Sequence, residues 1–561
     1  MKKHWKKVAM VVAFLLISIF YKESTGDISP NYFGQNAWMP DTVGNYVSCP
    51  NPPCYKGGKL HFQWQNVKQS GTKIVRYGGI GTDENKPTNF QYLRIIDSIK
   101  SNGMEPIIQV PFNNWQYNAS DAASIVQYLN ITKGRNIKYW IIGNEPNLGY
   151  SYHTASQIAN YIRPFASAMK AVDPTIKIIG PEVAWYEYPV MNGLMTPGGP
   201  DDITGKDAAG RYYIDIISFH SYSFDGSQTR GQVISKLTST GIYGLQSILT
   251  SLNSNINACN LAHNRTGVNA LQTAITEANI GWQNPSTDNL YGLGANSFIG
   301  GQFVAEMLGI GLKNDVQFVN LWSIIEGNTI ETNNGFIDPT TGNKKPLYYH
   351  FQLMANNFSG LSINSTSNKP NVKVFSCKNS SEIVVILLNE DSTANFNFTL
   401  KLDNSTISGT DPLKINTNAS LPILYNDEIF NQSTILLAFN LSGILIRKCE
   451  YKISDAALNN PPTCTTYSAL NVGSDSEDNF DYKVYPNPSD GNFTIELNPK
   501  RYTEKEYQIN IVNILGQEVF NKKVVFIENK ALIQLEYIRS GTYIISIENN
   551  KKIISKKIII N

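Results

Sequence analysis

Charge is sparse in this 561-residue chain: Asp, Glu, Lys and Arg make up 16% of it, and 47 basic against 45 acidic residues leave a net charge of +2. The basic residues form no long stripe, which excludes the electrostatic footprint of a nucleic-acid binder. Histidines number six and are scattered. No cysteine pair has zinc-type spacing with histidines nearby, so no metal centre is expected. Beyond residue 20 no apolar run is long enough to cross a bilayer, so the mature protein should carry no stable membrane span. No Walker sequence occurs and no Gly-rich phosphate loop follows the first strand, so no nucleotide or other cofactor is expected.

The six cysteines are Cys49, Cys54, Cys259, Cys377, Cys449 and Cys464. Cys49 and Cys54 flank a Pro-rich loop, and Cys449 and Cys464 flank a segment holding Pro461-Pro462; either pair could close a disulfide in an exported protein. Export is suggested by the N-terminus. Met1 to Lys7 is basic and Val8 to Phe20 is an unbroken apolar run, the layout of a signal peptide over residues 1–26. No Ala-x-Ala follows, and cleavage is expected near Ser24 to Asp27. Aromatics are plentiful, with 30 Tyr, 24 Phe and 8 Trp. Most belong in a core, but a few lining an open cleft would suit sugar rings.

From residue 27 to 360 short apolar strands alternate with longer amphipathic stretches such as Asn89 to Ser101 and Thr154 to Val172. That alternation predicts an α/β fold with a parallel sheet. Eight strand candidates are present: Tyr32 to Ala37, Lys73 to Tyr77, Glu105 to Val110, Lys138 to Gly143, Lys177 to Pro181, Ile214 to Phe219, Leu271 to Thr276 and Gln317 to Trp322. Eight fit a (β/α)8 TIM barrel, which typically takes ~250 residues or more; a doubly wound open sheet is the alternative. Residues 361–450 turn to short β-type runs separated by Asn, Ser and Asp, which read as a β-sandwich accessory domain. Residues 451–480 are polar, with Asn459-Asn460-Pro461-Pro462 and an acidic cluster, and read as a linker. Residues 481–561 form a further small all-β unit.

Two strand ends carry chemistry. Trp140-Ile141-Ile142-Gly143-Asn144-Glu145-Pro146 is an apolar run that stops at a carboxylate, and Ala274-Ile275-Thr276-Glu277 is another. Alone, Glu145 could simply cap the next helix. At the C-terminal face of one barrel the two glutamates could meet, as the paired carboxyls of a glycosidase must.

With Asn144-Glu145-Pro146 closing the fourth strand and Thr276-Glu277 the seventh, the barrel resembles the clan A glycoside hydrolases. The resemblance implies retaining hydrolysis of O-glycosidic bonds in a polysaccharide or oligosaccharide. Glu145 is then the acid/base and Glu277 the nucleophile, with Asn144 on the sugar 2-hydroxyl. It also implies support from Arg76 at the end of strand two, His220 and Tyr222 at strand six, and Trp322 at strand eight as a platform beneath the sugar. Each has a bland reading as well: an ion pair for stability, or a core His or Trp. Asn36, Trp38, Gln109, Asn113, Glu182 and Glu326 are weaker candidates. Asp83 and Glu84, in the loop after Arg76, compete with Glu145 for a catalytic role. Trp185, Tyr186 and Tyr188 belong to the loops expected to set endo or exo action. The alternative to an enzyme is a non-catalytic carbohydrate-binding or adhesin protein on a degenerate barrel.

The last unit begins Tyr485-Pro486-Asn487-Pro488 with Asp490-Gly491, and continues through Ile514-Leu515-Gly516-Gln517 and Ser540-Gly541-Thr542-Tyr543. It resembles the C-terminal sorting domain of the type IX secretion system of Bacteroidetes. That implies the secretion machinery as a partner, transit through the periplasm, and release or attachment at the cell surface.

Overall fold

The computed structural model describes residues 24–38, 60–112, 116–148, 154–241, 244–326, 329–403, 413–467, 482–497, 506–513, 517–527, 529–535, 537–549 and 552–561. Two compact units divide between Tyr467 and Ser468. Residues 1–23 of the expected signal peptide, together with Cys49, Cys54 and Asn113, lie outside the described residues.

After a short strand β1 (Ser24–Asp27), eight parallel strands close into a barrel: β2 (Phe33–Ala37), β3 (Ile74–Tyr77), β4 (Glu105–Val110), β5 (Tyr139–Ile142), β6 (Lys177–Val183), β7 (Ile216–Phe224), β8 (Gln272–Gly281) and β9 (Val319–Leu321). Strands buried on both faces need apolar side chains in succession, and these runs supply them. Ile74, Ile107, Ile141, Ile179, Ile216, Ala274 and Phe318 form one buried cluster, one residue from each of seven neighbouring strand positions. They are a layer of the barrel interior, and residues two further along each strand form the layer above. Arg76, two after Ile74, therefore points inward.

Helices cover the outside. Asn89–Ser101 starts at a Thr88/Gln91 capping box and Ala155–Val172 at a Thr154/Gln157 box. Phe298–Lys313 is buried on every face from Phe298 to Leu312. A helix apolar all round must be covered on both sides. Here the second cover is the sandwich, whose backbone at Asn389 and Ser433 accepts hydrogen bonds from Gln302 Nε2 at 3.1 and 3.0 Å.

The sandwich has strands β10 (Leu361–Ile363), β11 (Ser365–Ser367), β12 (Val372–Lys378), β13 (Glu382–Asn389), β14 (Phe396–Lys401), β15 (Leu413–Thr417), β16 (Leu424–Ile429), β17 (Ser433–Asn440), β18 (Leu445–Lys452) and β19 (Thr463–Thr466). One sheet runs β1-β10-β12-β13-β17-β18-β19 and the other β11-β15-β14-β16. Two segments near the expected domain boundaries pair into the first of these sheets. β1, inside the range expected for signal-peptide cleavage, pairs antiparallel with β10. The stretch from 451, read as linker, is in part structured: β19 pairs with β18, and Cys449–Cys464 joins them by a disulfide. The Asn-Asn-Pro-Pro run lies between these paired strands, and its composition mimics a linker.

The second unit is all-β, with a three-stranded sheet (Tyr482–Tyr485, Asn492–Leu497, Lys530–Gln534) and a four-stranded one (Glu506–Asn513, Glu518–Val525, Gly541–Asn549, Lys552–Ile560). Among the described residues no helix is long and apolar enough to cross a membrane.

Candidate active site

Arg76 is fully buried and its guanidinium is the hub at the C-terminal face of the barrel. Nη1 donates to Glu277 Oε1 at 2.8 Å and to Asn36 Oδ1 at 3.0 Å. Nη2 donates to Asn144 Oδ1 at 2.7 Å and to Glu182 Oε2 at 3.0 Å. Only a planar fork can address four strand ends at once. His220 sits among three carboxyls: Nδ1 lies 2.8 Å from Glu145 Oε1 and 3.5 Å from Glu277 Oε2, and Nε2 lies 3.4 Å from Glu182 Oε2. The Tyr222 hydroxyl donates to Glu277 Oε2 at 2.8 Å. Oxygens of Glu145 and Glu277 come within 4.8 Å of one another.

Thus Glu145, Glu277, Asn144, Arg76, His220 and Tyr222 are brought together. Trp322, the residue after β9, lines the same cavity of about 810 Å³ with both glutamates. Gly79, with φ +107°, makes room for it, since a Cβ there would lie 2.8 Å from Trp322 Cη2. Two positions differ from the sequence picture. β7 continues past His220 and Tyr222 to Phe224, and β8 continues four residues past Glu277. The register between them shifts after the Phe219–Ile275 pair, so that His220 faces Glu277 and Thr276 is the extra residue. A bulge of this kind re-aims the side chain that follows it. By strict alternation from Ala274 the inward residue would be Thr276; the bulge delivers Glu277 to the site and leaves the Thr276 hydroxyl to donate to Glu182 Oε1 at 2.6 Å.

Glu145 and Glu182 both occupy the left-handed backbone region, at φ 45° and 62°. The Glu145 N–H donates to the Glu182 carbonyl at 2.9 Å. Such conformations cost on the order of 1–3 kcal/mol for non-glycine residues and concentrate where function demands them.

Among the weaker candidates, Glu182 is buried and supports Arg76 and His220. Gln109 Oε1 accepts from the Gly79 N–H at 2.7 Å, and Trp38 Nε1 donates to the Ile325 carbonyl at 3.2 Å. Asp83 accepts from Gln109 Nε2, the Phe112 N–H and the Asn144 N–H at 2.8, 2.9 and 2.8 Å, so it ties three strand ends together. Glu84 is exposed. Glu326, Trp185 and Tyr186 line the cavity. Trp282 also lines it and was not singled out from the sequence; its only signal there is an aromatic directly after the seventh strand.

The charges are arranged by burial and partners. Burial pushes the Glu277 carboxyl upward, while His220 and Arg76 pull it down and Glu145 pushes it up. Burial opposes ionisation of Glu182, yet Arg76 and His220 outweigh it and hold that group at about 2. Burial likewise opposes protonation of His220, but Glu277, Glu145 and Glu182 bring it to about 10. Glu326 is pushed by burial to about 8. At neutral pH the cluster therefore holds two cations, Arg76 and His220. Glu145, His220 and Glu277 are close enough to share a metal ion. However, a guanidinium 2.8 Å from Glu277 and an imidazolium facing both glutamates already supply the positive charge a metal would bring.

Residues 483–561 match the family model of the secretion system C-terminal sorting domain. No curated protein matches the chain. Solved structures similar to it include the α-L-arabinofuranosidase of Thermotoga maritima in its arabinose complex, at 17% identity and TM-score 0.53, over 75% of this chain and 98% of that one. Another is CelM2, a bifunctional glucanase-xylanase from a metagenome library, at 16% identity and TM-score 0.50, over 74% of this chain and 97% of that one. At these identities the likeness is one of fold, and in this chain that fold is the eight-stranded barrel with its antiparallel sheets. The tail is a type IX sorting domain, which marks the protein for export to the cell surface or the medium.

Proposed function

We propose that the protein is a retaining glycosidase in which Glu277 is the nucleophile and Glu145 the acid/base. The carrying observation is the spacing of the pair, with oxygens within 4.8 Å. Double displacement requires carboxyls ~5–5.5 Å apart, whereas an inverting site leaves ~6.5–9.5 Å for a water. The partners of each carboxyl support the division of roles. Arg76 and His220 hold Glu182 ionised, so it serves as a support and not as a proton donor. Glu277 accepts from Arg76 and Tyr222 with His220 nearby, whereas the Glu145 carboxyl lies against His220. Hydrogen bonds and positive charges beside a carboxylate favour its ionised form, and here Arg76, His220 and Tyr222 act on Glu277 in that sense, against its burial.

In the first step Glu277 attacks the anomeric carbon while Glu145 protonates the departing oxygen. In the second, Glu145 takes a proton from water as the glycosyl-enzyme is hydrolysed. Asn144, fixed by Arg76, is oriented for the sugar 2-hydroxyl, and Trp322 is the platform beneath the ring. The substrate is a carbohydrate polymer or oligomer met outside the cell, after passage through the periplasm. The likeness in fold to an arabinofuranosidase and a glucanase-xylanase supports the substrate class.

Replacing Glu277 with Ala should abolish hydrolysis of aryl glycosides, and azide should restore turnover as a glycosyl azide of inverted configuration. Undiminished hydrolysis by that variant would overturn the assignment.

A further inference from the structure

Trp185 and Trp282 are 45% and 59% exposed, yet both border the cavity that holds the two glutamates. They stand on the loops after the fifth and seventh barrel strands, with His220 and Tyr222 on the sixth between them. Ile80 and Leu148 extend the same apolar rim. Exposing two indoles to water sacrifices burial that a core would reward. The backbone that carries them is nevertheless held by specific bonds.

Asn147, two residues after Glu145 and itself buried, brackets Trp185. Its Oδ1 accepts from the Ala184 N–H at 2.8 Å and its Nδ2 donates to Glu187 Oε2 at 3.0 Å. The Trp282 N–H donates to the Phe224 carbonyl at 3.0 Å. Gly281 allows that approach, since a Cβ there would sit 2.3 Å from the same carbonyl oxygen. Rigid aromatic faces beside a reacting centre bind at low entropic cost.

We infer that Trp185 and Trp282 are stacking platforms for sugar rings beyond the one being cleaved, and that they take pyranose rings with equatorial hydroxyls, as in β-linked glucan or xylan. This rests on the glycosidase reading. Such rings turn their C–H bonds to the two faces, giving a flat apolar surface with slight positive charge. That surface complements the electron-rich face of an indole. A puckered furanose ring offers no equivalent plane. The anchoring by Asn147 couples the Trp185 platform to the segment carrying the proposed acid, making Asn147 a positioning residue.

The test uses the full chain and two substrates, mixed-linkage β-glucan or xylan and the corresponding aryl β-glycoside. Trp185→Ala and Trp282→Ala should each lower the ratio of polymer to aryl-glycoside kcat/KM by roughly 2- to 12-fold, the range of one stacked aromatic. Trp→Tyr variants should restore most of it, and Asn147→Ala should lower the ratio in the same sense. Calorimetry on Glu277→Ala with cellotetraose, xylotetraose and linear arabino-oligosaccharide reads the platforms without turnover. Binding of the first two, weakened by either tryptophan change, supports the inference. An unchanged ratio with unchanged binding overturns it, and arabino-oligosaccharide bound as tightly overturns the pyranose assignment. A wild-type chain that turns over no glycoside refutes the glycosidase reading, and the calorimetry then decides the platforms alone.

Discussion

Tyr222 contributes a single hydroxyl to the site, 2.8 Å from Glu277 Oε2. Burial and the neighbouring Glu277 raise it well above the ordinary tyrosine value, so it remains a donor throughout the working range. A hydrogen bond to a charged group is worth ~1.5–3 kcal/mol. Tyr222→Phe should therefore lower kcat by roughly 10- to 100-fold with the fold intact; an unchanged kcat would remove Tyr222 from the transition state. Arg76 differs because it serves structure and site together. Glu182 and Glu277 are both buried against it, so Arg76→Met strands two carboxylates. Breaking a buried pair typically costs ~3–5 kcal/mol. Arg76→Met should lower the denaturant midpoint as well as the activity, whereas Tyr222→Phe should affect only the activity.

Helix Phe298–Lys313 joins the barrel to the sandwich, and a charge cluster lies at that seam. Lys373 Nζ on β12 is 3.1 Å from Glu306 Oε1 of the helix and 3.9 Å from Glu390 Oε2 beyond β13. Arg230 faces the cluster from helix Arg230–Ser235, and Lys313 from the end of the helix that carries Glu306. Burial pushes Glu306 up to about 7, against the lowering effect of Lys373, and burial with the neighbouring Glu306 also raises Glu390 well above the ordinary carboxylate range. The folded chain thus favours the protonated carboxyl. The stability this lends is complete below about pH 4.5 and is lost as pH rises through about 7. Glu306→Gln, which cannot ionise, should flatten the fall in melting temperature between pH 5 and 8. At pH 8 it should melt ~1–3 °C above wild type. An unaltered pH slope in thermal unfolding would refute the seam as its source.

At the scale of the molecule, the proposed catalysis and the sorting signal belong to different stretches of chain. The barrel carries the glutamates, and residues 483–561 carry the sorting signal in a unit with its own buried core. A chain ending at residue 467 should retain the wild-type turnover of aryl glycosides when purified. Expressed in a type IX-competent cell, it should be absent from the surface and the medium. Its appearance outside at wild-type levels, read by immunoblot of cell fractions, would separate the tail from export.

Much of this was legible in the chain itself. The strands are continuous apolar runs because both barrel faces are buried, and Asn144-Glu145-Pro146 interrupts such a run at a strand end. The tail is recognisable because its turn motifs depend on local Pro, Asn and Gly chemistry. The placement of β1 and β19 in the sandwich was not legible, since edge strands from distant segments are chosen by long-range pairing. Nor was the role of Glu182, whose value lies in contacts with Arg76, His220 and Thr276, each on a different strand. Glu277 shows the division most clearly. The sequence by itself determined that an acidic residue follows an apolar strand. Only the tertiary structure decided that a one-residue register shift opposite β7 turns that residue, rather than Thr276, toward Arg76 and Glu145. Alternation is a local property of one strand, but register is set jointly by two strands whose pairing brings together residues more than fifty positions apart.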